Sequence, residues 1–452
     1  RDVLGSRGLG DVYKRQGSKS VIVTLSGLYF MDVIIGAGVS GIAYAGFSEN
    51  KCLLLEKDAE IGGYCKTIKQ GNFVWDYSGH FFHFRNTFLE DYVCRNMVQD
   101  DILRCEKHTQ IFYGEKYIDF PFQKNIHQLD KDEFIDCLYD LFITTGSDYS
   151  TFKQMLYAKF GKSIAEKFLI PYNEKLYACD LNRLDVDAMG RFFPYADKEE
   201  IVRNFKKTDN NSYNSHFTYP KGGAIEYVKS LSSYIGNDDI CLNECVKHID
   251  VVGKVVKTDK RELKYDNLIS TMPFPLLMQC CGMDYDADIY SWNKVLVFNL
   301  GFDKKGKDIL NNWIYFPSKE LCFYRVGYYD NIFAGKHMSL YVELGFSKNT
   351  AAIDIDYYRE KVIDDLRKVG IITDHKLIAS HSVIMDPAYV HITKDSIKDV
   401  EEKKKVLAKN NIYSIGRYGS WTYCSIEDNI LEAKTLVEQL SKHYTKREIL
   451  NF

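Results

Sequence analysis

One stretch of the chain, residues 31–56, constrains the fold more than any other. A short apolar run, Val33–Ile35, leads into the turn Gly36–Gly41, and a helical stretch of small residues connects this turn to a second apolar run that ends at Glu56. This order predicts a strand, a glycine-rich turn, a helix and a second strand, the βαβ unit that binds dinucleotides. An ordinary strand-to-helix turn would give no reason for an acid at the end of the second strand.

The residues of this turn have separate predicted roles. Gly36 allows the tight turn, Gly38 lets the main chain approach a pyrophosphate, and Gly41 lets the helix pack closely against the strand. The helix N-terminus, which begins at Val39 and Ser40, offers N–H groups to the phosphates. All five residues are therefore predicted to bind the cofactor.

A second glycine pair follows the acid and favours one dinucleotide over another. Glu56 is placed to accept hydrogen bonds from a ribose, and Gly62–Gly63 would let backbone N–H groups reach a further part of the same dinucleotide. NAD-binding proteins rarely have this second pair, whereas FAD-binding proteins of the two-dinucleotide-binding type usually do, so we predict FAD. Lys57 and Tyr64, which border this segment, join the predicted FAD-binding residues.

Two later segments point to the same cofactor. A predicted strand and tight turn end at His80, which would lie at the face of the flavin ring; the alternative is a histidine that only makes structural hydrogen bonds. Near the C-terminus a predicted strand runs into Gly416 and Arg417. A helix predicted over residues 427–443 would direct its N-terminus, with Asp428 in the first turn, toward the flavin and favour negative charge there in the reduced state.

The remaining patterns predict an α/β protein in three parts. The FAD-binding domain, Rossmann-like and of the two-dinucleotide-binding type, would be assembled from residues 31–85, 215–275 and 395–445. Periodic apolar positions predict a mostly helical insertion domain over 86–214, in which the charged segment 197–214 is predicted to be a linker or mobile segment. Alternating apolar and polar residues predict an antiparallel-sheet substrate domain over 276–394.

The start of the chain and its composition exclude several classes. Residues 1–30 contain GLGDVYKRQ, which resembles a translated sequencing-adapter scar, so we expect a non-native or disordered leader and Met31 as the first native residue. The apolar patch Val21–Phe30 is too short and too interrupted to span a bilayer, and no integral membrane segment is expected. A net charge of −3 argues against nucleic-acid binding, and 12 cysteines without a CxxC pair predict reduced thiols in a cytoplasmic protein without a metal site.

Short motifs outside the nucleotide-binding unit carry a family resemblance. They are FPFQKNI at 120–126, PYNEKLY at 171–177, WIYFP at 313–317 with FYR at 323–325, and GRYGSWTY at 416–423. With these motifs the chain resembles the UDP-galactopyranose mutases, especially the eukaryotic-type branch, within the amine-oxidase and protoporphyrinogen-oxidase-like flavoproteins. Most relatives of this fold have Gly-Asp at the end of the C-terminal strand; this chain has Gly-Arg, and a mutase needs a cation there.

The resemblance implies roles for the motif residues. Phe120 and Gln123 would line the uridine end of the pocket, and Asn173 and Tyr177 would face the substrate. Phe120 stands where the family has tyrosine, and Tyr177 where it has tryptophan. A further arginine, Arg191, is implied on a mobile loop. The other implied substrate-binding residues are Tyr315, Arg325, Tyr389, Arg417 and Tyr423.

The implied activity is the interconversion of UDP-galactopyranose and UDP-galactofuranose for cell-surface glycan synthesis, through a sugar adduct at N5 of reduced FAD. Arg325 and Arg417 can each give forked, charge-assisted hydrogen bonds to a diphosphate, and with His80 they form the predicted catalytic set. The implied partners are a UDP-sugar substrate and NAD(P)H or another reductant, and a homo-oligomer is compatible with the sequence.

Two other functions stay open at this point. One is an FAD-dependent oxidoreductase of the amine-oxidase or protoporphyrinogen-oxidase-like type, and the other is a non-catalytic FAD scaffold in glycan assembly. Single residues also have simpler interpretations. Arg325 could be a solvated strand arginine, and Arg417 could pair with a local acid such as Glu427 or Asp428.

Overall fold

We describe residues 31–144, 146–209 and 215–450 of the protein from a computed structural model, with side chains through residue 441. The expected leader, residues 1–30, lies outside these residues. The described chain begins with the predicted βαβ unit, followed by a two-stranded hairpin. The elements are β1 (Met31–Ile35), α1 (Val39–Phe47), β2 (Lys51–Leu55), β3 (Thr67–Gln70) and β4 (Phe73–Asp76).

The next segment, predicted to be mostly helical, also contains three strands. A π-helical turn, Ala165–Leu169, joins its third and fourth α-helices. The elements are α2 (Thr87–Cys94), β5 (Ile102–Glu106), β6 (Thr109–Tyr113), β7 (Lys116–Asp119), α3 (Lys131–Ile143), α4 (Phe152–Ile164), α5 (Ile170–Tyr177) and α6 (Lys198–Lys206).

Helix α6 corrects the prediction of a linker over 197–214. The Asp197 side chain accepts a hydrogen bond from the Glu200 N–H at 2.8 Å, and the Glu200 carboxylate accepts one from the Asp197 N–H at 2.9 Å. This reciprocal cap satisfies two N–H groups that the first turn would otherwise leave unpaired. The helix buries little apolar surface, which is why no apolar periodicity indicated it. Residues 210–214 lie outside the described ranges.

The chain then returns to the nucleotide-binding unit and crosses into a second, antiparallel sheet. The elements up to the crossing are β8 (His216–Pro220), α7 (Ile225–Ser232), β9 (Ile240–Cys241), β10 (Val246–Asp250), β11 (Val255–Thr258), β12 (Glu262–Lys264), β13 (Asn267–Ser270) and α8 (Phe274–Cys280). The elements after it are β14 (Ser291–Phe302), β15 (Trp313–Tyr315), β16 (Arg325–Tyr328), α9 (Tyr329–Ile332), β17 (Ser339–Ser347), α10 (Ile355–Lys368), β18 (Leu377–Met385) and β19 (Val390–His391).

The C-terminal segment completes the parallel sheet. Its elements are α11 (Lys394–Ala408), β20 (Ile412–Ser414), α12 (Gly416–Gly419) and α13 (Ile426–Leu450). The order of the parallel sheet is β20-β13-β1-β2-β9, so strands from distant parts of the chain lie side by side. The predicted apolar residues of α13, among them Ile430 and Ala433, are buried in the same core cluster as residues of α1. The α/β fold with a Rossmann-like domain and an antiparallel sheet is confirmed.

The antiparallel sheet has the order β18-β14-β17-β16-β15-β6-β7, with β19 paired to β14. Strands β6 and β7, which belong to the segment predicted to be mostly helical, extend this sheet through a parallel pairing of β6 with β15. Within the described ranges, no helix is both long enough and apolar enough to cross a bilayer. The same residues contain no group of three or more histidine, cysteine, aspartate and glutamate side chains arranged to hold a metal ion.

Candidate functional site

A cleft of about 1020 Å³ opens at the carboxyl edge of the parallel sheet. Ile35 and Leu55 end β1 and β2, Thr271 and Gly416 follow β13 and β20, and all four line the cleft. Ligands of open α/β sheets bind at this edge. Strands β16 and β17 contribute residues from the antiparallel sheet. The predicted site residues that line the cleft are Gly36, Gly38, Val39, Ser40, Glu56, Lys57, Gly62, Gly63, Tyr64, His80, Arg325, Tyr389, Gly416, Arg417 and Tyr423.

Two glycines of the turn after β1, Gly36 and Gly41, have no room for a Cβ. Gly36 has φ of +100°, and a Cβ on it would lie 2.3 Å from Oγ1 of Thr271. A Cβ on Gly41, which lies beneath the turn, would approach the carbonyl oxygen of Gly36 to 2.0 Å. Helix α1 begins at Val39 without a hydrogen bond from a capping side chain. Its first N–H groups can therefore take a phosphate.

Glu56 joins the two glycine segments into one cradle. Its buried carboxylate accepts hydrogen bonds from the N–H groups of Ala37 at 2.8 Å and Asp58 at 2.9 Å. The N–H of Gly62 donates to the carbonyl oxygen of Ala37 at 2.8 Å. The Gly62–Gly63 loop therefore lies against the first turn, as the prediction of one shared dinucleotide requires. The hydrogen bond from Glu56 to a ribose stays a prediction.

Arg325, on the opposite side of the cleft, is paired, and its side chain is only 16% exposed. Glu343 stands opposite it on β17, and the guanidinium forms a forked salt bridge with this carboxylate, with N–O distances of 2.8 and 2.6 Å. The Ser78 hydroxyl donates to the same carboxylate. Arg325 is thus not a solvated strand arginine. Sequence reasoning missed Glu343, although an acid within the apolar strand β17 was a signal for it.

Arg417 lies at the C-terminal side of the cleft with its hydrogen bonding incomplete. Its Nη1 donates to the carbonyl oxygen of Cys424 at 3.2 Å, and its buried Nε has no hydrogen-bond partner among the described residues. The guanidinium carbon lies 5.2 Å from the ring centre of Tyr389 and 4.7 Å from that of Tyr423. These two rings stack with their centres 5.9 Å apart. The cation therefore faces aromatic rings, and no carboxylate of the described residues is bonded to it.

The two acids considered as partners of Arg417 have other partners. Glu427 accepts hydrogen bonds from the N–H groups of Arg85 and Asn86, each at 2.7 Å. Asp428 forms a salt bridge with Arg191 at 2.6 Å. The interpretation of Arg417 as a local ion-pair residue is therefore wrong. Asp428 connects the first turn of α13 to Arg191, and its predicted contact with the cofactor stays a prediction.

Three predicted substrate residues do not line the cleft but lie behind one of its walls. Each has a buried polar atom without a hydrogen-bond partner among the described residues. Gln123 is fully buried and donates to the carbonyl oxygen of Pro194. Asn173 donates to the carbonyl oxygen of Leu169 at 2.6 Å. Their side-chain oxygens and the Tyr177 hydroxyl are buried without a hydrogen-bond partner in the described part of the chain. Such groups are costly unless something bonds to them.

Two further predicted residues, Phe120 and Tyr315, do not line the cleft but form an aromatic wall beside it. The ring of Phe120 lies 5.1 Å from that of Tyr315, measured between ring centres. Tyr172, which sequence reasoning did not single out, lies 5.0 Å from Tyr315. The ring of Tyr177 lies 6.0 Å from that of Tyr389, which itself lines the cleft. The wall thus connects the predicted uridine end to the arginine side of the cleft.

The charges of both arginines act on His80. One ring nitrogen, Nδ1, lies 3.1 Å from the carbonyl oxygen of Ser78. Burial, together with the charges of Arg417 and Arg325, lowers the pKa of His80 to about 4, against the opposing effects of the Ser78 hydrogen bond and the Glu343 charge. The imidazole is therefore neutral at neutral pH. It can form a hydrogen bond at the cleft, but it does not contribute a positive charge there.

Comparisons with known proteins agree with this geometry. A family model described as an NAD(P)-binding Rossmann-like domain matches residues 34–93. A structure of reduced UDP-galactopyranose mutase is 22% identical in sequence, covers 92% of this chain and 94% of its own, and superposes with a TM-score of 0.85.

Two other solved structures share the architecture. A protein provisionally assigned as a protoporphyrinogen oxidase from Exiguobacterium sp. is 15% identical, covers 92% of this chain and 99% of its own, and has a TM-score of 0.75. Cyclohexylamine oxidase from Brevibacterium oxydans is 13% identical, with 92% and 100% coverage and a TM-score of 0.67. The chain therefore has the fold that UDP-galactopyranose mutase shares with amine-oxidase-like proteins.

Proposed function

We propose that the protein is a flavin-dependent isomerase that interconverts UDP-galactopyranose and UDP-galactofuranose, with reduced FAD as its cofactor. One observation carries the proposal: Arg325 and Arg417 line the same cleft as the glycine turn, and both influence the pKa of His80. A diphosphate held by these arginines would lie within the same cavity as a flavin held by the turn. The close fold match to a UDP-galactopyranose mutase supports the same assignment.

The cradle fits FAD. Gly36 and Gly41 admit no Cβ, the uncapped start of α1 can take a phosphate, and Glu56 holds Ala37, whose carbonyl oxygen in turn holds Gly62. When bound and reduced, the flavin supplies through its N5 atom the nucleophile for the anomeric carbon of the sugar. NAD(P)H or another reductant of the cytoplasm would provide the electrons.

The chain's own residues would hold the nucleotide. Arg417 has an unpaired Nε and two tyrosine rings beside it, so it can donate to a phosphate oxygen without breaking an ion pair. The Tyr389 and Tyr423 hydroxyls can donate to the same oxygens. This fixed set of donors would position the sugar and stabilise the negative charge of the departing UDP.

The uridine would be bound by the wall behind the cleft. The unsatisfied oxygens of Gln123 and Asn173 can each accept a hydrogen bond, and Phe120 with Tyr315 offers aromatic surface for a base. Because these groups lie behind the wall, substrate entry would require the wall to open. His80 stays neutral and would tune the flavin through its hydrogen bonding.

The test is turnover under two redox conditions. Purified protein is loaded with FAD, reduced with dithionite and incubated with UDP-galactofuranose, and UDP-galactopyranose is followed by chromatography. We expect conversion with the reduced protein and none with the oxidised protein. Oxygen uptake with an amine substrate and no sugar conversion would overturn the proposal in favour of an oxidase. Bound FAD with neither activity would overturn it in favour of a scaffold.

A further inference from the structure

One residue of the PYNEKLY motif, Lys175, has no role in the proposed function and does not line the cleft. Its Nζ donates to three carbonyl oxygens, those of Phe316 at 3.0 Å, Ser318 at 2.7 Å and Phe323 at 2.5 Å. An ammonium group has three N–H donors, so its capacity is filled. All three acceptors belong to the main chain of one loop, residues 316–324.

This loop connects two residues that the proposed function places against the nucleotide. Strand β15 ends at Tyr315 and β16 begins at Arg325, so the loop joins Tyr315 to Arg325 with no other element between them. Within the loop, the N–H of Phe316 donates to the carbonyl oxygen of Tyr324 at 2.8 Å. Because the last loop residue precedes Arg325, a displacement of the loop moves the guanidinium.

Helix α5, which carries Lys175, is fixed to the antiparallel sheet at its C-terminal end. The side chain of Asn293 donates to the carbonyl oxygen of Leu176, and Nε2 of His391 lies 2.8 Å from that of Tyr177. The sheet approaches so closely that a Cβ on Gly345 would lie 2.2 Å from the carbonyl oxygen of Lys175. The lysine therefore reaches the loop from a rigid base.

We propose that Lys175 is a positioning residue, whose ammonium group holds the 316–324 loop so that Arg325 and Tyr315 keep their places relative to the nucleotide. The inference rests on the proposed function for its effect on binding, but the clamp itself is independent of it. Lysine suits this place because its donors converge on main-chain oxygens from a compact charge, whereas the planar fork of arginine spreads them apart.

A second lysine makes a contrasting connection between the same two elements. Lys319, in the loop, pairs with Glu174 of α5 at 2.9 Å, but its side chain is 70% exposed. Exposed ion pairs contribute little to stability. Lys319→Met is therefore the matched control, since it removes a surface connection between α5 and the loop and leaves the buried clamp intact.

The experiment compares wild type, Lys175→Gln and Lys319→Met at about pH 6. Burial lowers the pKa of Lys175 to about 7, against the charges of Cys322 and Asp365, so this pH keeps the amine charged. Hydrogen exchange of residues 316–325 is followed by mass spectrometry, and UDP binding is measured by titration. We expect Lys175→Gln to speed exchange in this loop about tenfold and weaken UDP binding about tenfold, with FAD content unchanged. Lys319→Met should change neither.

The outcomes separate this inference from the proposed function. If wild type does not bind UDP but the loop still exchanges faster in Lys175→Gln, the clamp stands and the proposed function fails. If the loop of Lys175→Gln exchanged its hydrogens at the wild-type rate, or if exchange became faster throughout the chain, the proposed clamp would be wrong. If that variant does not fold, Lys175→Arg is judged by the same two measurements, because it keeps the charge and changes the donor geometry.

Discussion

Arg325 and Glu343 face each other across β16 and β17 and form a forked salt bridge, with N–O distances of 2.8 and 2.6 Å. Because of this salt bridge, Arg325 and Arg417 are not two equivalent cations toward a diphosphate. Two donor nitrogens of Arg325 are already bonded to a carboxylate, whereas Arg417 has a bare Nε. The two arginines therefore differ in how much charge they can offer to an anion.

Arg417 should dominate the binding of UDP. Arg417→Ala removes the cation that no carboxylate in the described part of the chain neutralises, and we expect UDP binding to weaken by about 1.5–3 kcal/mol. The double variant Arg325→Met with Glu343→Gln removes no net charge and should cost about 1 kcal/mol. Isothermal titration with UDP measures both, with the exposed Arg203→Ala as control. Equal losses in the two variants would show that the charge of Arg325 is not offset by Glu343.

The same pair should behave as a buried ion pair in stability measurements. Glu343→Gln leaves the Arg325 guanidinium buried without its carboxylate, and the free energy of unfolding should fall by about 3 kcal/mol. Adding Arg325→Met should restore most of this loss, because no uncompensated charge is left. Urea unfolding measures these differences. Breaking the exposed Arg203–Glu199 pair should change stability by less than about 0.5 kcal/mol. Additive losses in the double variant would contradict the expectation.

The cofactor cradle was more predictable than the arginine pair. The roles of Gly36 and Gly41 follow from a local rule, because a tight turn and a close helix approach depend on residues near in sequence. The Arg325–Glu343 pair depends on the register of β16 against β17, and Ser78 reaches it from a third segment. Such contacts depend on tertiary packing that the motif spacing does not encode.

Two groups of elements were missed for different physical reasons. Helix α6 was missed because it is stabilised by a capping box and charged residues, and only two of its residues are buried, Ile201 and Asn204. Strands β6 and β7 were missed because the helices that follow them set the apolar periodicity of the whole segment. The domain boundaries drawn from that periodicity remain predictions. The pairing of β6 with β15 means that the segment predicted to be mostly helical contributes strands to the antiparallel sheet.

Gly41 should be required for flavin binding. A Cβ at Gly41 would lie 2.0 Å from the carbonyl oxygen of Gly36, so Gly41→Ala must displace the turn or the helix. We expect purified Gly41→Ala to lose the flavin absorbance bands. Gly71→Ala is the control, because no atom lies within 4 Å of its added Cβ, and only its positive φ of +58° opposes the substitution. It should retain flavin and lose about 1 kcal/mol of stability. Full flavin content in Gly41→Ala would exclude the proposed cradle.

His391 should make stability depend on pH below neutrality. A carbonyl oxygen only accepts, so Nε2 of His391 donates to Tyr177, and Nδ1 accepts from the Ser291 hydroxyl at 3.0 Å. Burial lowers the pKa of His391 to about 4, whereas the unfolded chain titrates near 6.5. Between these values the unfolded state binds the proton more readily, so this contribution is complete above about pH 6.5 and is lost as the pH falls toward 4.

The measurement is urea unfolding of wild type and His391→Gln at about pH 7.5 and pH 5. Glutamine can still donate to the Tyr177 carbonyl and accept from Ser291, but it does not titrate. The loss of unfolding free energy over this interval should be smaller in His391→Gln by about 2 kcal/mol. Other histidines with a lowered pKa, such as His80 and His83, titrate in both proteins and cancel in the comparison. Equal losses in both proteins would mean that His391 keeps an ordinary pKa in the folded state, and its buried contact with α5 would then have to be more open to water than the structure shows.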